Sequence, residues 1–233
     1  MSLFPNPGGA TVEAFTPLSL SPYIWIRGDD VNISDTDKVD QWNDKSGNSR
    51  HLAGVTTTRP SLLTADAGFN SQDAIAFTED VDILTLTGLS IAQPFSVFFA
   101  IRQNSWAAND RHIELHSSGN VLDIQNADAT SPNFFQYTGV IANTISAMTI
   151  GTEFLLTSIF NGASASQQLN ATAAVTGGTT GTATANQVRL GARTAGAYGA
   201  DQDVAELVII EGAVTGEDLT SMQTYFNTRY SLW

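Results

Sequence analysis

The chain contains no cysteine. Disulfides, thiolate metal sites and cysteine nucleophiles are therefore excluded. Basic residues are scarce: 10 Lys and Arg stand against 23 Asp and Glu in 233 residues, a formal charge of −13. Phosphate backbones and anionic bilayers call for a basic surface, so nucleic acid and membrane insertion drop out as expectations. No stretch has the length and apolarity of a membrane span. The first residues, Met1 to Gly9, lack the basic and apolar regions of a signal peptide, so no export signal is expected. The acidity suits solubility, or the capture of a cation such as calcium by loop carboxylates. Catalytic signatures are missing too. There is no G-x-S-x-G elbow, no P-loop and no dinucleotide fingerprint.

What remains is rich in Ser, Thr, Asn, Gln and Gly, a balance that suits short strands and turns. Residues 1–10 carry two prolines and two glycines and read as an N-terminal arm. From residue 11 to 233 a single domain is expected. Strand-like segments recur at 11–15, 23–27, 39–42, 74–77, 83–86, 95–102, 112–116, 121–125 and 134–138, then at 153–160, 166–173, 187–191 and 204–210. Many short strands bounded by Gly, Asn, Asp, Ser and Pro predict a sandwich or barrel. The runs 95–101 and 204–210 are apolar almost throughout and predict sheet centres. The Ala/Thr/Gly-rich stretch 161–199 reads as a flat strand pair with long turns rather than a linker. One helix is predicted, over 215–230. Thr215 stands as N-cap with Asp218 three residues on, and Leu219, Met222, Phe226 and Tyr230 form one apolar face.

Two segments carry a family likeness. The first runs from Tyr23-Ile-Trp-Ile-Arg-Gly-Asp-Asp to Val39-Asp-Gln-Trp-Asn-Asp-Lys-Ser-Gly-Asn. The second is Arg59-Pro-Ser-Leu followed by Asp73-Ala-Ile-Ala-Phe-Thr-Glu-Asp-Val-Asp. With the tail from Asp203, they resemble the concanavalin-A-like, laminin-G-like domains found in bacteriophage virion proteins and bacterial surface proteins. The resemblance covers residues 20–86 and 200–233. It implies an all-β, two-sheet antiparallel jelly-roll sandwich closed by one C-terminal α-helix. It also implies a virion setting, as a tail, fibre or capsid-decoration component, with other virion subunits and homo-oligomers as partners. Where that family carries a D-G turn, this chain has Thr78-Glu79-Asp80. In the W-x-D-x-S-G-N segment, Asn43 and Asp44 are expected to accept backbone N–H groups, and Trp25 and Trp42 to fill the core.

Candidate sites follow from side-chain chemistry. Sugar rings stack on exposed aromatics while neighbouring polar groups bond their hydroxyls. Trp106, Asn109 and Asp110 in one loop, and Arg193 and Tyr198 in another, fit that need. The rival reading has Trp106 and Tyr198 covering the sandwich edge or a neighbouring subunit. The acidic stretch with Asp29, Asp30, Asp35 and Asp37 supplies oxygen ligands for calcium, although it does not match the EF-hand pattern. His112-Ile-Glu-Leu-His116 places three ligating side chains on one strand face, some 7 Å apart in sequence order, which is wide for one ion. The paired-carboxylate signatures of glucanases on this fold, E-x-D-x-x-E or E-x-D-x-E, do not occur. The expectation is a non-catalytic carbohydrate binder. A ligand-free structural module and a glycoside hydrolase are the alternatives.

Overall fold

The computed structural model describes residues 14–35, 37–54, 57–118, 121–126, 132–145, 148–191 and 198–233, apart from the side chains of Ser34 and Asp35. The arm at 1–10 lies outside them. Among the described residues the regular structure comprises sixteen strands, one α-helix and two short 3-10 helices, Pro17–Leu20 and Gly162–Ser164. In chain order the first eight are β1 (Ile24–Asp35), β2 (Lys38–Asp44), β3 (Leu52–Gly54), β4 (Ser61–Asp66), β5 (Gln72–Phe77), β6 (Ile83–Ile91), β7 (Phe95–Gln103) and β8 (Arg111–Glu114). The others are β9 (Asp123–Asn126), β10 (Phe134–Tyr137), β11 (Ile141–Ile145), β12 (Glu153–Phe160), β13 (Ser166–Leu169), β14 (Val175–Thr176), β15 (Ala185–Gly191) and β16 (Gln202–Glu211). The helix α1 spans Gly216–Tyr230.

The expected architecture, an all-β sandwich with one C-terminal helix, is the one observed. All the strand pairs are antiparallel. They form one hydrogen-bonded path, β11-β10-β9-β8-β15-β6-β3-β2-β4-β5-β16-β7-β12-β13-β14, with β1 paired to β16 and β2. The path folds over so that Leu84, Ile113, Ile124 and Leu190 meet Ile75, Val97, Phe99, Leu207 and Ile209 in one buried core. In the stretch 161–199, β13 and β14 form the expected strand pair, while β15 pairs elsewhere, with β6 and β8.

The two apolar runs are central strands, as expected. β7 and β16 pair with each other over most of their length. In β7, Val97, Phe99 and Ile101 point into the sandwich, while Phe98 and Ala100 face outward under the helix. β16 would fall out of phase with this alternation but for one residue. Val204 pairs with Ile101 and Glu206 with Ala100, so Ala205 is an extra residue, a β-bulge. The bulge puts Ala205 and Glu206 on the same outer side. That single insertion decides where a buried carboxylate goes.

α1 covers the outer face. Met222, Phe226 and Tyr230 are buried and Leu219 is half-buried, in keeping with their spacing of three and four. Phe98 lies against Phe226 at 6.4 Å between ring centroids, and Phe69 meets Tyr230 edge-on at 6.0 Å. Burial of each such side chain stabilises by about 1.5–3 kcal/mol. The predicted capping box is a correction. Thr215 makes no side-chain cap bond, because the chain enters through Gly216 at φ +60°, where a box needs a helical residue.

The W-x-D-x-S-G-N segment is a structural turn. Asp44 accepts the backbone N–H groups of Trp25, Ser46 and Arg50 at 2.9–3.0 Å. Asn43 does not accept backbone groups beside it. Its side-chain amide instead donates to Asp30 and Asn32 across the strand pair. Trp25 and Trp42 are buried, as expected.

Candidate functional site

Three connections far apart in sequence meet at one end of the sandwich. They are the β5–β6 turn at 78–82, the β7–β8 loop at 104–110, and the segment 198–201 leading into β16. Arg111 N–H donates to Tyr198 O at 2.9 Å, and Asn104 N–H to Asp201 O at 2.9 Å. Gly199 N–H donates to Asp80 Oδ1 at 2.7 Å, and Ser105 Oγ to Glu79 Oε2 at 3.3 Å. The two loops that the sequence nominated for a glycan are thus neighbours. Asp80, Asn109 and Tyr198 all take left-handed φ of +57 to +68°. Asn and Asp tolerate this, but a tyrosine there costs about 1–2 kcal/mol. Strain of this kind persists where the surroundings over-determine it.

Tyr198 is 47% exposed. Its ring lies over the Arg111 guanidinium, 5.2 Å from Cζ to the ring centroid, and Arg111 is itself buried and paired with Asp123 at 3.3 Å. An exposed aromatic face is therefore held in place from behind. Trp106 is half-buried and packs on the sandwich core, whereas Asn109 is exposed. Asp110 is 4% exposed, and its Oδ2 has no hydrogen-bond partner. Burial, then the nearby charges of Glu79 and Asp80, push its carboxyl up to about 7. Near neutrality this group can either donate or accept.

A buried polar layer anchors the 104–110 loop from below. Asn126 Nδ2 donates to Ala107 O at 2.9 Å, and Asn126 N–H to Asp110 O at 2.8 Å. His112 lies between Asn126 Oδ1 and Gln202 Oε1, at 2.7 Å from each. Burial depresses its imidazole to about 4, against the pull of those two amides. Glu79, Asp80, Asn126 and Gln202 were not nominated from sequence, and His112 was weighed there only as a metal ligand. The one local signal was Thr78-Glu79-Asp80 in place of a D-G turn. Asp80 at φ +58° takes the left-handed backbone that a glycine would otherwise supply.

The other candidates fall elsewhere. Arg193 lies outside the described residues. In the acidic stretch, Asp29 chelates Arg27 through both oxygens at 2.6 Å, and Asp30 pairs with Lys45 at 3.0 Å. Burial works against the Asp29 charge, but Arg27 holds its carboxyl below the ordinary value. Asp37 is exposed and gives its backbone carbonyl to Leu62, and the Asp35 side chain lies outside the described residues. Glu114 pairs with Arg189 at 3.0 Å, and His116 Nδ1 accepts from Ser118 N–H at 3.1 Å, so neither joins His112. Among the described residues no three His, Cys, Asp or Glu side chains converge on a metal position.

No known family profile matches the chain, and no curated protein matches it in sequence. Solved structures do resemble it. The binding domain of Paraclostridial Mosquitocidal Protein 1 superposes with a TM-score of 0.62 at 12% identity, over 91% of this chain and 53% of that one. A GH54 α-L-arabinofuranosidase gives 0.61 at 13%, over 83% of this chain and 51% of that one. This chain thus spans about half the length of each of those two. Domain 4 of AbnA, a GH43 extracellular arabinanase from Geobacillus stearothermophilus in complex with arabinotriose, gives 0.59 at 14%, over 88% of this chain and 97% of that domain. At these identities the likeness concerns the fold alone, a β-sandwich similar to parts of an arabinofuranosidase, domain 4 of an arabinanase and the binding domain of a mosquitocidal protein.

Proposed function

We propose that this protein is a non-catalytic carbohydrate-binding module whose ligand rests on the three-loop cluster. The observation that carries the reading is the exposed Tyr198 ring, fixed on Arg111 at the loop end that also holds Asp80 and Asn109. A pyranose stacks its apolar face on such a ring while Asp80 and Asn109 bond its hydroxyls. Support also comes from the fold neighbours, one of which was solved with arabinotriose. The setting we propose is a virion surface, among other virion subunits and copies of this chain. It rests on the resemblance of residues 20–86 and 200–233 to phage domains. Finding the chain in purified particles by mass spectrometry would test that setting.

The test of binding is a broad glycan array, with Tyr198→Ala and Trp106→Ala beside the wild type. Tyr198→Ala should lower affinity up to about tenfold, the loss of one aromatic contact of ~0.5–1.5 kcal/mol. Trp106→Ala acts through the loop beneath and should weaken binding with some loss of stability. A blank array for folded protein would favour a ligand-free structural module.

A second reading has one specific observation behind it. A carboxyl raised to about 7 beside two other acidic groups is the arrangement of a glycosidase acid near its carboxylate partner. Hydrolysis of aryl glycosides that disappears in Asp110→Asn would establish an enzyme and displace the non-catalytic reading.

A further inference from the structure

A cavity of about 710 Å³ opens on a different face, between α1, β1 and the start of β5. Its size is that of a small-molecule site. Its charge is unusual for this chain. Arg27 and Arg229 line it, two of only 10 basic residues, and none of its lining residues is acidic, in a protein of net charge −13.

The two arginines are not equally satisfied. Arg27 is clasped by both oxygens of Asp29 at 2.6 Å. For Arg229 the nearest carboxylate oxygens are Asp29 Oδ2 at 3.4 Å and Glu206 Oε2 at 3.8 Å, and its Nε donates to the neutral Tyr230 hydroxyl at 3.2 Å. Charge-assisted bonds run to about 2.7–2.9 Å, so the Nη2 bond to Asp29 is a long one, and Nη1 donates to no group among the described residues. A guanidinium in that state matches a planar, two-oxygen acceptor.

The remaining walls offer the opposite. Asn70 and Gln72 give their amide N–H groups to the carbonyls of Arg229 and Asn70, at 3.0 and 3.4 Å, which leaves both amide oxygens as acceptors. Thr224 spends its hydroxyl proton on Thr220 O at 2.8 Å and keeps its lone pairs. Acceptors on these walls need a ligand that donates, and hydroxyl groups do so. Phe15 adds an apolar flank to the same cavity. An inorganic anion would use the arginine and leave the rest unmatched.

We propose that this cavity binds a carboxylated sugar of the uronic acid class, its carboxylate on Arg229 and its hydroxyls toward Asn70, Gln72 and Thr224. The site lies apart from the three-loop cluster and does not depend on that reading.

The test is isothermal titration of the full chain with digalacturonate, against neutral galactobiose as control. The acidic disaccharide should bind and the neutral one should not. Arg229→Gln should weaken binding about ten- to a hundredfold, the range for losing hydrogen bonds to a charged group. Thr224→Trp should block the cavity from an exposed position on α1, which guards against a folding defect in the arginine variant. No binding of digalacturonate, equal binding of the neutral sugar, or binding that survives Thr224→Trp would each overturn the proposal.

Discussion

Arg102 on β7 and Glu206 on β16 occupy adjacent strands beneath the outer layer, and each solves the problem of a buried charge in the opposite way. Arg102 is one cation among three carboxylates: Asp66 at 2.9 Å, Glu153 at 2.7 Å and Asp203 at 2.6 Å. Glu206 is one carboxylate among neutral donors. Trp25 Nε1 and Tyr230 OH reach it at 2.6 Å and Tyr225 OH at 3.0 Å, with Arg229 further away at 3.8 Å. The first centre joins β4, β7, β12 and β16 by charge. The second joins α1 to β1 and β16 by hydrogen bonds. A centre held by charge fails when its single cation is lost. One held by several neutral donors loses its members one bond at a time.

Arg102→Met breaks the comparison hardest. It leaves three carboxylates facing one another with no shared cation; removing one partner of a fully buried cluster costs about 3–5 kcal/mol, an upper bound for one in which only Asp203 is buried. Urea denaturation at pH 7 should show that loss. The deficit should shrink in acid, because Arg102 holds the Asp66 carboxyl below its ordinary value. The stability this gives is present above the unfolded carboxylate pKa and is lost as pH falls through the folded one. A loss under about 1 kcal/mol at pH 7 would mean that water already screens the cluster.

Glu206→Gln is the milder and opposite case. The shape is kept, but one of the two oxygens facing three donors becomes an NH2 donor, at a cost of about 1–3 kcal/mol. Burial, against the pull of Tyr230, Trp25 and Tyr225, pushes the Glu206 carboxyl up. Its contribution is therefore present below the unfolded pKa and falls away as pH rises through the folded one, the reverse of Asp66. Stability curves of wild type and Glu206→Gln should converge toward alkaline pH. Parallel curves would show that Glu206 titrates alike in both states.

How far these centres could be read from sequence follows from how local their causes are. The helical stripe Met222, Phe226, Tyr230 depends on spacing within four turns and was legible. The runs that became β7 and β16 were legible from apolar content. The bulge at Ala205 was not, since nothing in Val204-Ala-Glu-Leu-Val marks which residue is extra. Without it the side that Glu206 faces cannot be assigned. The partners of Glu206 are Trp25, 181 residues away, and Tyr230, 24 away, and no periodicity connects them. The candidate site divides in the same way. Trp106, Asp110 and Tyr198 carried a chemical signal of their own. That their loops meet, and that Asp80 ties Tyr198's neighbour Gly199 across 119 residues, is tertiary information. Strands β3, β4, β11 and β14 left little trace in the sequence because they are short or half-exposed, so alternation is weak in them.

The three-loop end extends the comparison to a site where both signs of pH dependence occur side by side. Asp110, raised to about 7, contributes stability that is present below pH 3.8 and lost as pH rises through 7. His112, lowered to about 4, must stay neutral in the fold, so stability rises with pH between about 4 and 6.5. Between pH 4 and 6.5 the two oppose each other. Above 6.5 only Asp110 still titrates, and stability should decline toward pH 8. Asp110→Asn removes that decline, and its stability relative to wild type should rise by about 1–2 kcal/mol from pH 5 to pH 8. The effect is smaller than the full shift implies, because the Glu79 charge acts from an exposed position and is screened. Chemical denaturation at pH 5, 6.5 and 8 measures it. If wild type and Asp110→Asn keep a constant difference across that range, the Asp110 carboxyl is ionised throughout. The glycosidase reading would then lose its acid.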